Sequence, residues 1–401
     1  MMNSAYRPLT LLVLSLFLCN HSIARDGLRY IDVHIHLRGT SNSAMLGHSH
    51  VNESSGGPMS RKPKGQGMSP KERRKAKMQK MRQKPNMQSP KQDLDGAARN
   101  LIKKMDEAGV KQSLIVVVPG PKSDEYEEKS LREICMKHPD RLKLLAGGAI
   151  LSPYLQDIKA ENVTSADKKR FRQIATQLIK DGAVGFGEMI SYHLSMADHH
   201  SFQYAAPDHP LFKALADIAA EQNVAIDIHM EAIETRRPTP ANLKRASSKN
   251  PDTLEPTIPA FERLLAHNRN ARIVWQHIGW DNVGDMTSKL VDRLLSKHPN
   301  LFIALRVENR VDQVGGGGKM PNRLVDESGT IKPEWLALIK KHSDRITIGT
   351  DEFFFPVQGD QKDRPNQSFD ATWSLLEQLP PAMRSKIGGH NAARIYALSK
   401  E

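Results

Sequence analysis

Short β-rich apolar runs alternate along the chain with longer stretches in which apolar residues return every three or four positions. The runs are YIDVHIH (30–36), LIVVV (114–118), LKLLAGGAI (142–150), AVGFGEM (183–189), VAIDIHM (224–230), ARIVWQH (271–277), LFIALRV (301–307) and RITIGTD (345–351). Eight helical stretches separate and follow them, among them LDGAARNLIKKMDEAG (94–109), PLFKALADIAAEQN (210–223) and SFDATWSLLEQLP (368–380). Strands that alternate with helices of this length predict βα units and a parallel sheet. Eight of each predict an α/β fold, a closed TIM-like (β/α)8 barrel with no edge strand. An open doubly wound sheet is the alternative, but no Gly-rich phosphate loop follows the first strand to favour it.

Two segments stand outside this alternation. Arg7, the apolar core TLLVLSLFL (10–18) and the small residues of Ser22-Ile-Ala24 make residues 1–24 a signal peptide cleaved after Ala24. Its core is too short to span a bilayer, and no later stretch is long enough to do so. The expected address is therefore outside the cytoplasm, in a bacterial periplasm. Cleavage removes Cys19 and leaves Cys135 alone, so no internal disulfide is expected and an ordinary core must supply the stability.

The second segment, 39–91, interrupts the barrel domain (25–401) between the first strand and the first helix, and so emerges at the mouth of the barrel. Within it residues 61–91 carry twelve Lys/Arg and a single acid, Glu72, against a net charge of +13 for the whole chain. The basic character belongs to this insertion rather than to the barrel. Its Gly, Ser, Pro, Lys and Met content predicts a flexible segment, read first as a solvated charge run. Contact with an anionic membrane surface or a polyanion is the second reading, and copper held by its methionines and GHSH (47–50) a third. Nothing in it points to a specific nucleic acid.

Period two places the chemistry. Asp32, His34 and His36 share one face of the first strand, opposite Ile31, Val33 and Ile35. By the same rule Phe186 pairs with Glu188, Asp227 with His229, Trp275 with His277, and Thr347 and Gly349 with Asp351. Each ligand-type residue falls at or beside the C-terminal end of its strand, the end at which barrel active sites are built. Four histidines and two carboxylates make an N/O set suited to Zn²⁺, with Mn²⁺ or Fe²⁺ as alternatives.

These residues also resemble a family. DVHIH on strand 1, HM on strand 5, QHIGW on strand 6, GTD on strand 8 and the closing IGGHNAARIYAL (387–398) are similar to the amidohydrolase superfamily, in its amidohydrolase-related branch. The resemblance implies a first metal held by His34, His36 and Asp351. Most binuclear members bridge two metals with a carbamylated lysine on strand 4. Here Glu188 would bridge instead, as in TatD-type relatives, with His229 and His277 on a second metal. Mononuclear decarboxylase-like relatives imply another arrangement, with His229 on the sole metal and His277 as acid/base. Both stay open, and Glu188 favours the first.

The function expected is hydrolysis of a small ester, lactone, amide or phosphoester by a metal-activated water. Asp351 would take the proton and pass it to the leaving group, and His277 or the metal would polarise the electrophile. A metal-dependent decarboxylase of an unsaturated or aromatic acid is the runner-up, and a non-catalytic binding barrel the third reading. Arg306 would bind a substrate carboxylate or phosphate, or form a structural ion pair, while Trp280 and Asp281 would line the pocket. Glu231, Glu234, His193, His199, His200 and His209 are read as loop residues, and GGGG (315–318) as a flexible loop. Substrate identity and oligomeric state are left open.

Overall fold

The computed structural model describes residues 29–39, 93–118, 125–197, 200–307, 320–357 and 367–398. The signal peptide, the insertion beyond Gly39, His199 and GGGG (315–318) lie outside the described residues. Eight parallel strands form the barrel: β1 (Tyr30–Leu37), β2 (Val110–Val116), β3 (Leu142–Gly147), β4 (Gly185–His193), β5 (Ala225–Met230), β6 (Arg272–Ile278), β7 (Leu301–Leu305) and β8 (Ile346–Ile348). Each pairs with its neighbour, and β8 returns to β1 with Ile348 opposite Asp32, so the sheet closes. A short β9 (Glu352–Phe354) continues alongside β1. All eight predicted runs are therefore strands, and the closed TIM barrel is the fold.

Helices cover the outside. They include α1 (Leu94–Ala108), α2 (Glu125–Lys137), α3 (Ser165–Lys180), α4 (Pro210–Gln222) and α5 (Ile258–His267). They start and stop where local chemistry says they should. Thr164 and Asp167 form a reciprocal capping box on α3, and α1 ends at Gly109 with φ 70°. No helix among the described residues is long and apolar enough to cross a membrane.

The core has two layers. The larger lies between barrel and helices and takes Ile35, Leu144, Phe186, Ile226, Ile228, Trp275 and Ile303 from the strands. The smaller fills the barrel interior with Ile31, Val33, Leu114, Val116, Leu145, Ala225, Val274, Phe302 and Ala304. Its floor is the C-terminal segment, the short helix α6 (Asn391–Ile395) followed by Tyr396 and Leu398, which supplies Ala392, Ile395, Tyr396 and Leu398 to the same cluster.

The register between strands shifts at five places, three of them beside His34, Glu188 and His277. Asp32 faces Ser113 while Ile35 faces Ile115, so β1 holds one residue more than β2 over that span. Phe186 and Met189 face Ile226 and Ile228, and Trp275 and Ile278 face Ile303 and Leu305. β4 and β6 therefore each carry an extra residue too. Bulges of this kind re-aim a side chain, and they favour the neighbourhood of active sites.

Here they correct the expected faces. Ile31 and Val33 fill the barrel, and the bulge then turns His34 inward as well. Asp32 does not share the histidines' environment. Its carboxylate accepts from the Thr350 hydroxyl at 2.7 Å and from the backbone amides of Thr350 and His34 at 3.2 and 3.0 Å. Phe186 and Trp275 pack outward, yet Glu188 and His277, of the same parity, turn into the barrel. β5 keeps plain alternation, with Asp227 and His229 inside and Ile226 and Ile228 outside.

Candidate metal centre

The mouth of the barrel gathers His34 and His36 from β1, Glu188 from β4, His229 from β5, His277 from β6 and Asp351 just after β8. His277 and Asp351 both have left-handed backbone, with φ 63° and 57°. That region is costly for residues with a Cβ, and its use at two members of one cluster marks strain held in place by the surrounding fold. Gly349 makes room from below: a Cβ there would lie 3.0 Å from that of His34 and 3.1 Å from Gln276 Oε1.

Glu188 sits at the centre. Its Oε1 is 2.6 Å from His229 Nδ1, 3.1 Å from His277 Nε2 and 3.8 Å from His34 Nε2. Its Oε2 is 4.0 Å from His36 Nε2. On the other side, Asp351 Oδ1 is 3.0 Å from His36 Nε2 and 3.8 Å from His34 Nε2. Two triads result, His34–His36–Asp351 and His34–Glu188–His277, each with its ligand atoms within 4.8 Å of one another.

The donor set fits a divalent cation. His34 Nε2, which faces Glu188 and Asp351, and His277 Nδ1 are buried with no hydrogen-bond partner. Unpaired buried polar atoms are rare, and a cluster of them on mutually facing ligands is what a cation would satisfy. Burial pushes the pKa of His34 and of His277 down, which keeps the rings neutral with a lone pair to offer. Burial opposes charge on Glu188 and Asp351 as well. Even so, His229 chiefly, for Glu188, and Arg306 chiefly, for Asp351, hold them well below the usual carboxylate range. His36 Nδ1 lies 3.3 Å from the Val116 carbonyl, which can only accept, so the proton is on Nδ1 and Nε2 faces the cluster. Its ring stacks on Phe353 at 4.4 Å.

Around the cluster the wall is formed by Met230, Glu231, Trp280 and Met286. Arg306 ion-pairs through Nη1 with Asp351 Oδ2, and its guanidinium carbon lies 3.8 Å over the Trp280 ring. Asp281 is not part of this wall chemistry. It is fully buried and spends its carboxylate on its own loop, accepting from the amides of Val283, Gly284 and Met286 and from Asn322 Nδ2.

Two residues read as loop positions belong to the site's surroundings instead. Glu231 is buried, pushed up to about 7 by that burial, and accepts from Asn282 Nδ2 at 2.6 Å. His193 ends β4, four residues beyond the expected strand, and its ring lies 4.7 Å from that of His229 and 4.5 Å from that of His200. The β-formers of MISYH after Glu188 carried that signal. His209 caps α4 through the Leu211 amide, and Glu234 pairs with Arg293 at the surface.

An amidohydrolase family model matches residues 31–398. No curated protein matches the chain in sequence. Among solved structures it is similar to an amidohydrolase II protein (12% identity, covering 92% of this chain and 99% of that one, TM-score 0.48). Another is a probable 2-pyrone-4,6-dicarboxylic acid hydrolase of Acinetobacter baumannii with citric acid bound (13%, 92% and 100%, 0.48). A third is the 5-carboxyvanillate decarboxylase of Novosphingobium aromaticivorans, complexed with manganese and 4-hydroxy-3-methoxy-5-nitrobenzoic acid (11%, 93% and 97%, 0.46).

Proposed function

We propose, since the chain belongs to the amidohydrolase family and is a metal-dependent enzyme of that type, that it is a hydrolase of a small anionic ester, lactone, amide or phosphoester. The observation that carries this reading is the place of Glu188, whose two oxygens reach toward histidines of both triads. A carboxylate so placed suits a bridge between two cations, most simply zinc. His34, His36 and Asp351 would hold one, and His229 and His277 the other. Divalent cations here would supply Lewis-acid polarisation and an acidified water.

The chain's own residues do the rest. Asp351, whose Oδ1 faces the histidines, would collect the proton of the attacking water and return it to the leaving group. His277, neutral and buried, steadies the oxygen of the electrophile. Arg306 lies stacked over the Trp280 ring. Beyond Asp351 its side chain has no partner among the described residues, so its remaining N–H donors are available to a substrate carboxylate or phosphate. Residues 1–24 are proposed to export the enzyme, which predicts a mature chain starting at Arg25 by mass spectrometry.

Metal content by plasma mass spectrometry on untagged protein, combined with a panel of ester, lactone, amide and phosphoester substrates, tests the reading. Two equivalents with hydrolytic turnover, lost in Asp351→Asn with metal retained, support it. One equivalent and carbon dioxide release from an unsaturated or aromatic acid would replace it with a carboxy-lyase in which His277 is the acid/base.

A further inference from the structure

Beneath the histidines, toward the closed end of the barrel, lies a second polar network that the proposed chemistry does not use. Tyr396 belongs to the floor segment, and its hydroxyl donates to Asp227 Oδ1 at 2.6 Å. Gln276 Nε2 donates to Asp227 Oδ2, also at 2.6 Å. All three side chains are buried in the barrel interior. Asp227 Oδ2 lies 3.9 Å from His34 Nδ1, longer than a hydrogen bond, and that nitrogen is one of the buried atoms without a partner.

We propose that Asp227, clamped by Tyr396 and Gln276, is a positioning residue for His34, so that the floor of the barrel sets the affinity of the metal centre at its mouth. This rests on the metal-dependent reading above. A neutral imidazole carries one proton. If His34 offers its Nε2 lone pair toward Glu188 and Asp351, the proton sits on Nδ1. A buried N–H with no acceptor carries its full desolvation cost. The carboxylate oxygen beside Nδ1 is Asp227 Oδ2, 3.9 Å away.

The two clamping donors each hold a different oxygen, which fixes the plane of the carboxylate and sets Oδ2 3.9 Å from the ring nitrogen. Metal-bound histidines depend on such outer partners for ring orientation and basicity. What is unusual here is the origin of the clamp. Tyr396 comes from the segment that also plugs the apolar interior through Ile395 and Leu398. Packing at one end of the barrel is thereby tied to ligand geometry at the other.

The test is competitive titration of full-length protein with Zn²⁺ against a fluorescent chelator, with thermal melts of the metal-free forms alongside. Tyr396→Phe and Asp227→Asn are expected to weaken Zn²⁺ binding by about 10- to 100-fold, the range seen when outer partners of metal ligands are removed. Ile395→Val trims the same floor without touching the network and is expected to leave affinity unchanged even if it lowers the melting temperature. Wild-type affinity in both network variants would overturn the proposal, as would an equal loss in Ile395→Val. Should Tyr396→Phe fail to fold, Asp227→Asn decides alone. A wild-type chain that takes up no zinc would instead remove the metal-dependent reading, and this inference with it.

Discussion

Under the proposed function, substrate choice turns on Arg306. Its guanidinium is nearly buried, stacked on Trp280 and paired with Asp351. A planar fork held this way loses little freedom when it grips an anionic oxygen, and lysine cannot reproduce either the stack or the fork. Arg306→Lys and Arg306→Ala are therefore both expected to lower kcat/KM for an anionic substrate. The loss should be about 10- to 100-fold, from a charge-assisted hydrogen bond worth about 1.5–3 kcal/mol. Steady-state kinetics on matched charged and neutral substrates checks this, because the neutral one should lose much less. At this scale the residues singled out in the sequence, His34, His36, Glu188, His229, His277 and Asp351, do converge at the mouth of the barrel. Asp281 accepts from its own loop, and a carboxylate of that kind looks the same in a sequence as one that faces a pocket.

Among the elements, the strands were legible and their faces only partly so. Apolar runs and helical periodicity located all eight strands, because each is buried on both sides and bounded by an amphipathic helix. Parity put Glu188 on the face of Phe186 and His277 on that of Trp275, and both placements fail, because bulges and, at His277, a left-handed residue separate each pair across the sheet. Bulges depend on register with a neighbouring strand, and register is absent from any single segment.

Two predictions belong here. Gly148 follows β3, and a Cβ on it would meet only backbone: Val117 O at 2.6 Å, Glu188 N at 3.2 Å and Glu188 O at 3.3 Å. Gly148→Ala is expected to cost about 1–3 kcal/mol by overpacking and to lower zinc per chain by displacing Glu188. Denaturant melts and metal analysis check the two effects. Glu128 ties α2 to the end of β3 by accepting from the Gly147 amide at 2.5 Å, while its other oxygen is buried without a partner. Burial pushes it up to about 7 from an ordinary 4.5. The folded state therefore holds this proton more tightly than the unfolded one. Its contribution to stability is complete below about pH 4.5 and is lost as the pH rises to about 7, on the order of 3 kcal/mol. Urea melts from pH 4 to 8 should show that decline in the wild type and a flatter profile in Glu128→Gln.

For the whole molecule, the cation and the fold should stabilise one another. Stripping metal with a chelator is expected to lower the melting temperature, and zinc to restore it. At a thousandfold excess over Kd the recovery amounts to about 4 kcal/mol, and calorimetry with and without added zinc measures it. The barrel has one seam that joins its two ends: Asp32 and Thr350, bonded across β1 and β8, stand 318 positions apart in the chain. Pairings that distant carry the largest chain-closure entropy and tend to form late. His34 and His36 lie on one side of that seam and Asp351 on the other, so a complete triad exists only in a molecule that has finished folding. Zinc should then leave the refolding rate unchanged and slow unfolding, lengthening the lifetime of the native barrel. Refolding that accelerates with zinc would instead place the joining of β1 to β8 before the rate-limiting step.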